Sequence, residues 1–243
     1  MSELGIDIVL IFVGPEKKVY SVHKDLICSK IPFFGKAFQG TFNEALTGRM
    51  HLPDVSSQAF DLIVYWLYHD TLPHKIYHKS EEYDTNVEDI DAELQVYIAA
   101  ESWCSVSLQN TFMDYIVDAL NEAQLYYGIQ AINAVYRHTH ANSPIRKFLV
   151  ARIAHATHGP EAKSAVMDFV EAQGNTLRID LAVDILRAFL VVNDATPDPC
   201  LDSTKWHVPS GEKDHEDPQL EDNTADEEKT EGEPEVDNDV ATA

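Results

Sequence analysis

The sequence predicts an α/β protein of the α+β kind, a small sheet flanked by helices that runs on into an all-helical extension and a charged tail. Three observations carry that expectation. Every strand-like segment lies between Ile8 and Leu52. From Ser56 to Val192 the apolar residues recur at helical spacing, the pattern of elements that bury one stripe. After Pro197 that periodicity vanishes and acidic residues accumulate. Strands close together in sequence followed only by helices suit a mixed sheet covered by helices.

The elements follow in order. Ile8–Val13 is a continuous, β-branched-rich run closed by Gly14-Pro15, which reads as a buried strand ending in a turn. Val19–Val22 alternates and pairs with it as a hairpin. Lys24–Ser29 makes a short helical turn. Pro32 suits the first position of the next helix, where no amide hydrogen is needed. On that helix Phe34 and Phe38 are four apart and share a face. Arg49–Leu52 is a short strand. Ser56 or Ser57 caps a helix reaching about His69, with Phe60, Ile63, Val64 and Leu67 on one stripe; Tyr65, Trp66 and Tyr68 lie off it. Asp70–Asp89 is polar and aperiodic, a long surface loop.

Helices resume with Leu94, Ile98 and Ala99, and then with Leu108, Phe112, Tyr115, Ile116 and Ala119. Further helices are expected over Ile129–His140, over Ser143–Ala156 with Ser143 as cap, and over Pro160–Gln173 stopped by Gly174. The last expected helix, Asp180–Val192, carries Leu181, Ile185 and Phe189 on one stripe. The domain boundaries that result are 5–125 for the α+β domain, 126–195 for the helical extension and 196–243 for a disordered acidic tail.

Charge sharpens the picture. Gly211–Ala243 holds fourteen Asp or Glu against two Lys, a net of −12, leaving −11 of the total −23 for the preceding 210 residues. So acidic and aromatic-poor a tail is expected to be disordered, and it serves solubility more readily than partner binding. A negative surface repels phosphate, so neither nucleic acid nor an anionic membrane is an expected partner. The three cysteines, Cys28, Cys104 and Cys200, are odd in number and widely spaced, and no Asn-x-Ser/Thr sequon occurs. The first residues lack a basic, apolar leader. Together these features predict a reduced, intracellular protein of cytoplasm or nucleus.

The stretch "VHKDLICSKIPFFGKAF", Val22–Phe38, poses the functional question, because it puts His23, Asp25 and Cys28 against a run of phenylalanines. A Cys28–His23 nucleophile pair is one reading. It lacks an orienting third group and an oxyanion site nearby. The other reading is structural. "DIVLIFVGPEKKVYSVHKDLICSKIPFFGKAFQGTFNEA", "MHLPDVSSQAFDLIVYWLYHDTL" and "ELQVYIAAESWCSVSLQNTFMDYIVDAL" resemble, in order, the BTB/POZ domain in the form common in filamentous fungi. The resemblance covers Asp7 to about Leu120, and the later helices resemble the helical tail that fungal members often carry.

The resemblance implies that His23, Asp25, Phe34 and Phe38 are structural, and that the protein is a noncatalytic protein-interaction module without cofactor or metal. It also singles out "FQGTFNEA". Phe42-Asn43-Glu44 has the hydrophobic-x-acidic pattern that, in BTB proteins serving as cullin-3 adaptors, lies in the loop before the third core strand. There the apolar residue enters a groove on the cullin and the carboxylate helps to fix the loop. Phe42 and Glu44 are therefore the expected protein interface, in a substrate adaptor of a cullin-3 RING ubiquitin ligase. The alternative is a self-associating scaffold or regulatory binding protein with no ligase role. Six residues precede Asp7, and as helix they span only ~9 Å, too few for the swapped N-terminal strand of extensive BTB dimers, so any homodimer is expected to form without that swap. Of the histidine pairs (His74/His78, His138/His140, His155/His158), the first lies in the irregular loop without a nearby cysteine and the last ends a helix, where imidazole suits the C-terminal dipole; with eleven His in the chain, chance pairs are expected. The phosphate-binding glycine motifs and the G-x-S-x-G and C-x-x-C signatures are absent.

Overall fold

A computed structural model describes residues 5–73, 91–122, 127–156 and 177–209, all within one compact unit. The loop expected over residues 70–89 and the helix expected over residues 160–173 lie largely or wholly outside these residues, as does the acidic segment from 210 onward.

The expected α+β architecture is the one adopted. Strands β1 (Ile8–Val13), β2 (Lys18–His23) and β3 (Arg49–Leu52) form one sheet in the order β2-β1-β3. β1 pairs antiparallel with β2, from Ile8 opposite His23 to Val13 opposite Lys18. It pairs in parallel with β3, from Leu10 opposite Arg49 to Val13 opposite Leu52. Side chains alternate across a strand, so Val9, Ile11, Val13, Val22, Met50 and Leu52 all face inward and are buried. On the outer face Phe12 stacks on its cross-strand neighbour His51, ring centroids 4.6 Å apart. The hairpin turn is bought with two left-handed residues, Gly14 at φ 72° and Lys17 at φ 54°; glycine adopts that region without penalty.

Helices α1 (Lys24–Lys30), α2 (Pro32–Gln39) and α3 (Asn43–Thr47) make the crossover to β3. Pro32 occupies the first turn of α2, as its fixed φ favours. Phe34 and Phe38 are both buried and stack at 6.2 Å, and Trp103 packs edge-on against Phe34 at 5.2 Å. α4 (Ser57–His69) is capped by the Ser56 hydroxyl, which accepts from the Ala59 N–H at 3.1 Å. Its buried stripe is Phe60, Ile63 and Leu67, joined by Trp66 at 3% exposure; Val64, expected on that stripe, is only half-buried. The reason is geometric: Trp66 faces α1, with the Lys30 ammonium 5.2 Å above its ring and bonded to the Leu67 carbonyl at 2.8 Å.

α5 (Ala92–Ser102) and α6 (Val106–Glu122) form an antiparallel pair through a tight turn at Cys104, φ 54°. The extension consists of α7 (Ile129–His138), α8 (Pro144–Ala156) and α9 (Ile179–Val191). Its buried residues, among them Ile132, Val135, Phe148, Leu149 and Leu181, join the same hydrophobic cluster as those of the sheet. Ser143, immediately before α8, donates its hydroxyl to the Glu101 carboxylate of α5 at 2.5 Å.

The expected tail boundary at 196 needs moving. Pro199–Leu201 and Ser203–Trp206 form two 3₁₀ turns, and Cys200 within the first is 7% exposed. Ser203 and His207 both bond the Asp114 carboxylate of α6, at 2.6 and 2.7 Å. Asn110 and Val208 exchange two hydrogen bonds at 2.7 and 3.0 Å. Periodicity could not reveal this strap, because it is held by capping aspartates and single side-chain contacts, not by an apolar stripe.

Candidate interaction surface

The loop between α2 and β3 carries two exposed large apolar side chains of the α+β domain. Gly40 closes α2; a Cβ there would lie 2.5 Å from the Lys36 carbonyl oxygen, so the chain can leave the helix at this angle only with glycine. Phe42 follows in extended conformation, φ −73° and ψ 161°, as the residue before α3. Its carbonyl accepts from the Ala45 N–H at 3.0 Å, and the Thr47 hydroxyl donates to the Asn43 carbonyl at 2.9 Å. Gly48 ends α3 in the left-handed region, φ 64°, and donates to the Glu44 carbonyl at 2.9 Å. The turn is thus held by its own backbone, and its side chains are left to face outward.

Those side chains are Phe42, 60% exposed, and Leu46, 85% exposed, with Glu44 half-buried between them. Phe42, just before α3, and Leu46, within it, are the two exposed apolar side chains of this turn. Leu46 was not expected from the sequence. The signal was present: an apolar residue four after Phe42, with Gly48 ending the helix two residues later.

The residues of the opening question separate. The Nδ1 atom of His23 lies 2.7 Å from the Tyr68 hydroxyl, whose oxygen also accepts from the His23 backbone N–H at 3.2 Å. His23 therefore ties the end of β2 to α4. The Cys28 thiol donates to the Phe34 carbonyl at 3.5 Å, and burial pushes its pKa up. A thiol of that kind is a poor nucleophile. Asp25 stands in the first turn of α1, its carboxylate so close to Gly5 that a Cβ on that glycine would overlap it. Among the described residues no three His, Cys, Asp or Glu side chains come together as metal ligands do, and no helix is long and apolar enough to cross a membrane.

A concavity of about 670 Å³ opens between α8 and α9. Val150, Ala151 and Val183 are apolar on its wall and Lys147, Asp184 and Arg187 are charged beside them. It is a surface groove with no convergent set of reactive side chains.

The described domain is thus a three-stranded sheet closed by helices, with an exposed aromatic on a loop held by its own hydrogen bonds. Residues 2–109 match the BTB/POZ domain family, and this part of the chain is a BTB/POZ domain, a protein–protein interaction module. The match ends inside α6. No curated protein matches the chain.

Proposed function

We propose that the chain is a substrate adaptor of a cullin-3 RING ubiquitin ligase and that Phe42, Glu44 and Leu46 form the contact with the cullin. The observation that carries this reading is the exposure of Phe42 on a loop whose own hydrogen bonds hold it in place. Burying such an aromatic in a partner's pocket is the usual origin of a binding hot spot. Pre-formed loops also lose little entropy on docking. Glu44, half-buried next to Phe42, supports the position of the turn, and the helices of the extension present the surface on which a substrate docks. The test is titration calorimetry of the purified chain against a cullin-3 N-terminal region. Binding that weakens at least ~30-fold in Phe42→Ala, with an unchanged melting temperature, is the expected outcome. No association of the wild-type chain, or equal affinity for the variant, rejects the reading.

A further inference from the structure

Helix α9 carries two apolar faces. Leu181 and Ile185 are buried, and Ala188 packs beside them on the core. Ile179, Val183, Leu186 and Leu190 are exposed, at 83%, 38%, 60% and 86%. With 3.6 residues per turn these four fall within an arc of about 60°, directly opposite the buried face. Their spacing of four, three and four is that of a coiled-coil seam. A surface helix of a self-contained domain needs one apolar stripe; a second, continuous and facing solvent, marks an interaction surface.

The flank of the seam indicates the occupant. Asp180 and Arg187 lie on the same side of the stripe, one near each end of the helix. A second α9 laid antiparallel across the stripe, with the two-fold axis between Asp184 and Ile185, sets Ile179 against Leu190 and Val183 against Leu186. The same operation brings Arg187 of the second copy, twice over, to the side of Asp180, whose carboxylate stays 39% exposed although Arg178 already bonds both its oxygens at 3.0 and 3.1 Å and Arg146 lies 3.8 Å away. Parallel pairing instead sets Arg187 opposite Ala182 and forms no such pair. Arg187 is free to turn: its guanidinium is largely exposed and reaches Asp184 only at 3.4 Å. We propose that α9 is a self-association surface and that a second copy of this chain packs antiparallel along Ile179–Leu190.

A helix of 13 residues is ~20 Å long, so the interface falls below the ~1,200 Å² of standard complexes and the dimer is weak and concentration-dependent. Analytical ultracentrifugation of the full chain at low salt is expected to show a monomer–dimer equilibrium in the micromolar range. Leu186→Glu, on a side chain already exposed, is expected to weaken it at least ~30-fold without altering the circular dichroism. Arg187→Glu is expected to weaken it several-fold. Asp180→Lys also loses the Arg178 pair and the Leu181 N–H bond, so it is compared at temperatures where circular dichroism shows it folded. There it is expected to weaken association several-fold and the double variant to recover it. Phe42→Ala is expected to leave the equilibrium unchanged, which separates this surface from the loop of the adaptor reading. A chain that stays monomeric throughout, as when another segment of the same polypeptide covers the seam, overturns the proposal. So does a dimer that Leu186→Glu leaves intact, or a double charge variant that associates no better than the single ones.

Discussion

The carboxylate of Glu101 receives the Ser143 hydroxyl at 2.5 Å on one oxygen and the His140 backbone N–H at 2.7 Å on the other. Glu101 closes the Tyr-x-Ala-Ala-Glu segment of α5, whereas His140 and Ser143 belong to the turn joining α7 to α8. One side chain thus clamps the extension to the BTB/POZ domain. Ser143 is buried, 3% exposed, so its hydroxyl has little access to a replacement partner.

From that clamp comes the first prediction. Glu101→Ala strips two donors of their acceptor, and an unsatisfied buried group costs about 1–3 kcal/mol. Urea denaturation is expected to show a loss of that size, and hydrogen exchange to quicken first at residues 139–143. Glu101→Gln, which keeps one carbonyl oxygen, is expected to lose less. An unchanged urea midpoint for Glu101→Ala means that the clamp adds nothing to stability.

Phe34 and Phe42 make a matched pair of opposite character. Phe34 is wholly buried between Phe38 and Trp103, and truncating such a side chain costs about 3–5 kcal/mol. Phe42 is exposed on its loop, so truncation there is expected to change stability by no more than ~0.5 kcal/mol. Thermal melts of Phe34→Ala and Phe42→Ala check this directly. If Phe42→Ala melts as early as Phe34→Ala, Phe42 is a core residue and not an interface anchor.

Periodicity was legible where one stripe met one core. The strands, the Pro32 start of α2 and the inward Phe60, Ile63 and Leu67 could all be read from spacing. Trp66 could not, because its burial depends on α1 packing across α4, a tertiary contact that no local pattern encodes. Leu46 was missed because the short α3 offers too few residues for a stripe. The 199–208 strap was hidden for another reason: its partners, Asn110 and Asp114, stand about ninety residues earlier in the chain. The second apolar face of α9 was in plain view, yet spacing alone does not say which of two stripes faces the core.

The strap makes a prediction about thiols. Cys104 is exposed, whereas Cys28 and Cys200 are buried. Burial raises the pKa of both buried thiols, that of Cys200 to about 11. At pH 8 a thiolate-selective reagent is therefore expected to label Cys104 quickly and the other two slowly. Asn110→Ala removes both hydrogen bonds to Val208 and is expected to raise the labelling rate of Cys200 several-fold while Cys28 stays slow. Mass spectrometry of the labelled peptides reads the rates separately. Equal acceleration of Cys28 and Cys200 indicates global unfolding and counts against a local strap.

Arg146 and Tyr136 hold the interior of the extension. The Arg146 guanidinium lies 4.5 Å from the Tyr136 ring centroid and donates to the carbonyl oxygens of Tyr136 and Thr139 and to the Thr139 hydroxyl. At 7% exposure it is buried among these acceptors. Leaving buried acceptors without their donor costs about 1–3 kcal/mol. Arg146→Ala is expected to lose that much in urea, and Arg146→Lys, which cannot span three acceptors with its compact head, to lose a substantial share. A midpoint for Arg146→Ala within error of wild type is the outcome that contradicts this.

Buried tyrosines, Tyr136 among them, link the stability of the fold to alkaline pH. The Tyr136 hydroxyl donates to Asp184 at 3.1 Å, and burial first, then the Asp184 charge, push its pKa well above the ordinary value of 10.0. Tyr127, which donates to Glu93 at 3.1 Å, is raised in the same direction, again by burial first. In both cases the folded chain favours the neutral phenol, so the folded pKa exceeds the unfolded one. The stability linked to these groups is whole below pH ~10 and is lost as pH rises through the folded values. Phenolate absorbance at 295 nm is therefore expected to split into an early phase from exposed tyrosines and a late one that coincides with loss of helical circular dichroism. Tyr136→Phe is expected to flatten the decline of stability above pH 10. Should the late phase be missing, with all tyrosines ionising near pH 10 in a folded chain, burial does not hold these phenols neutral.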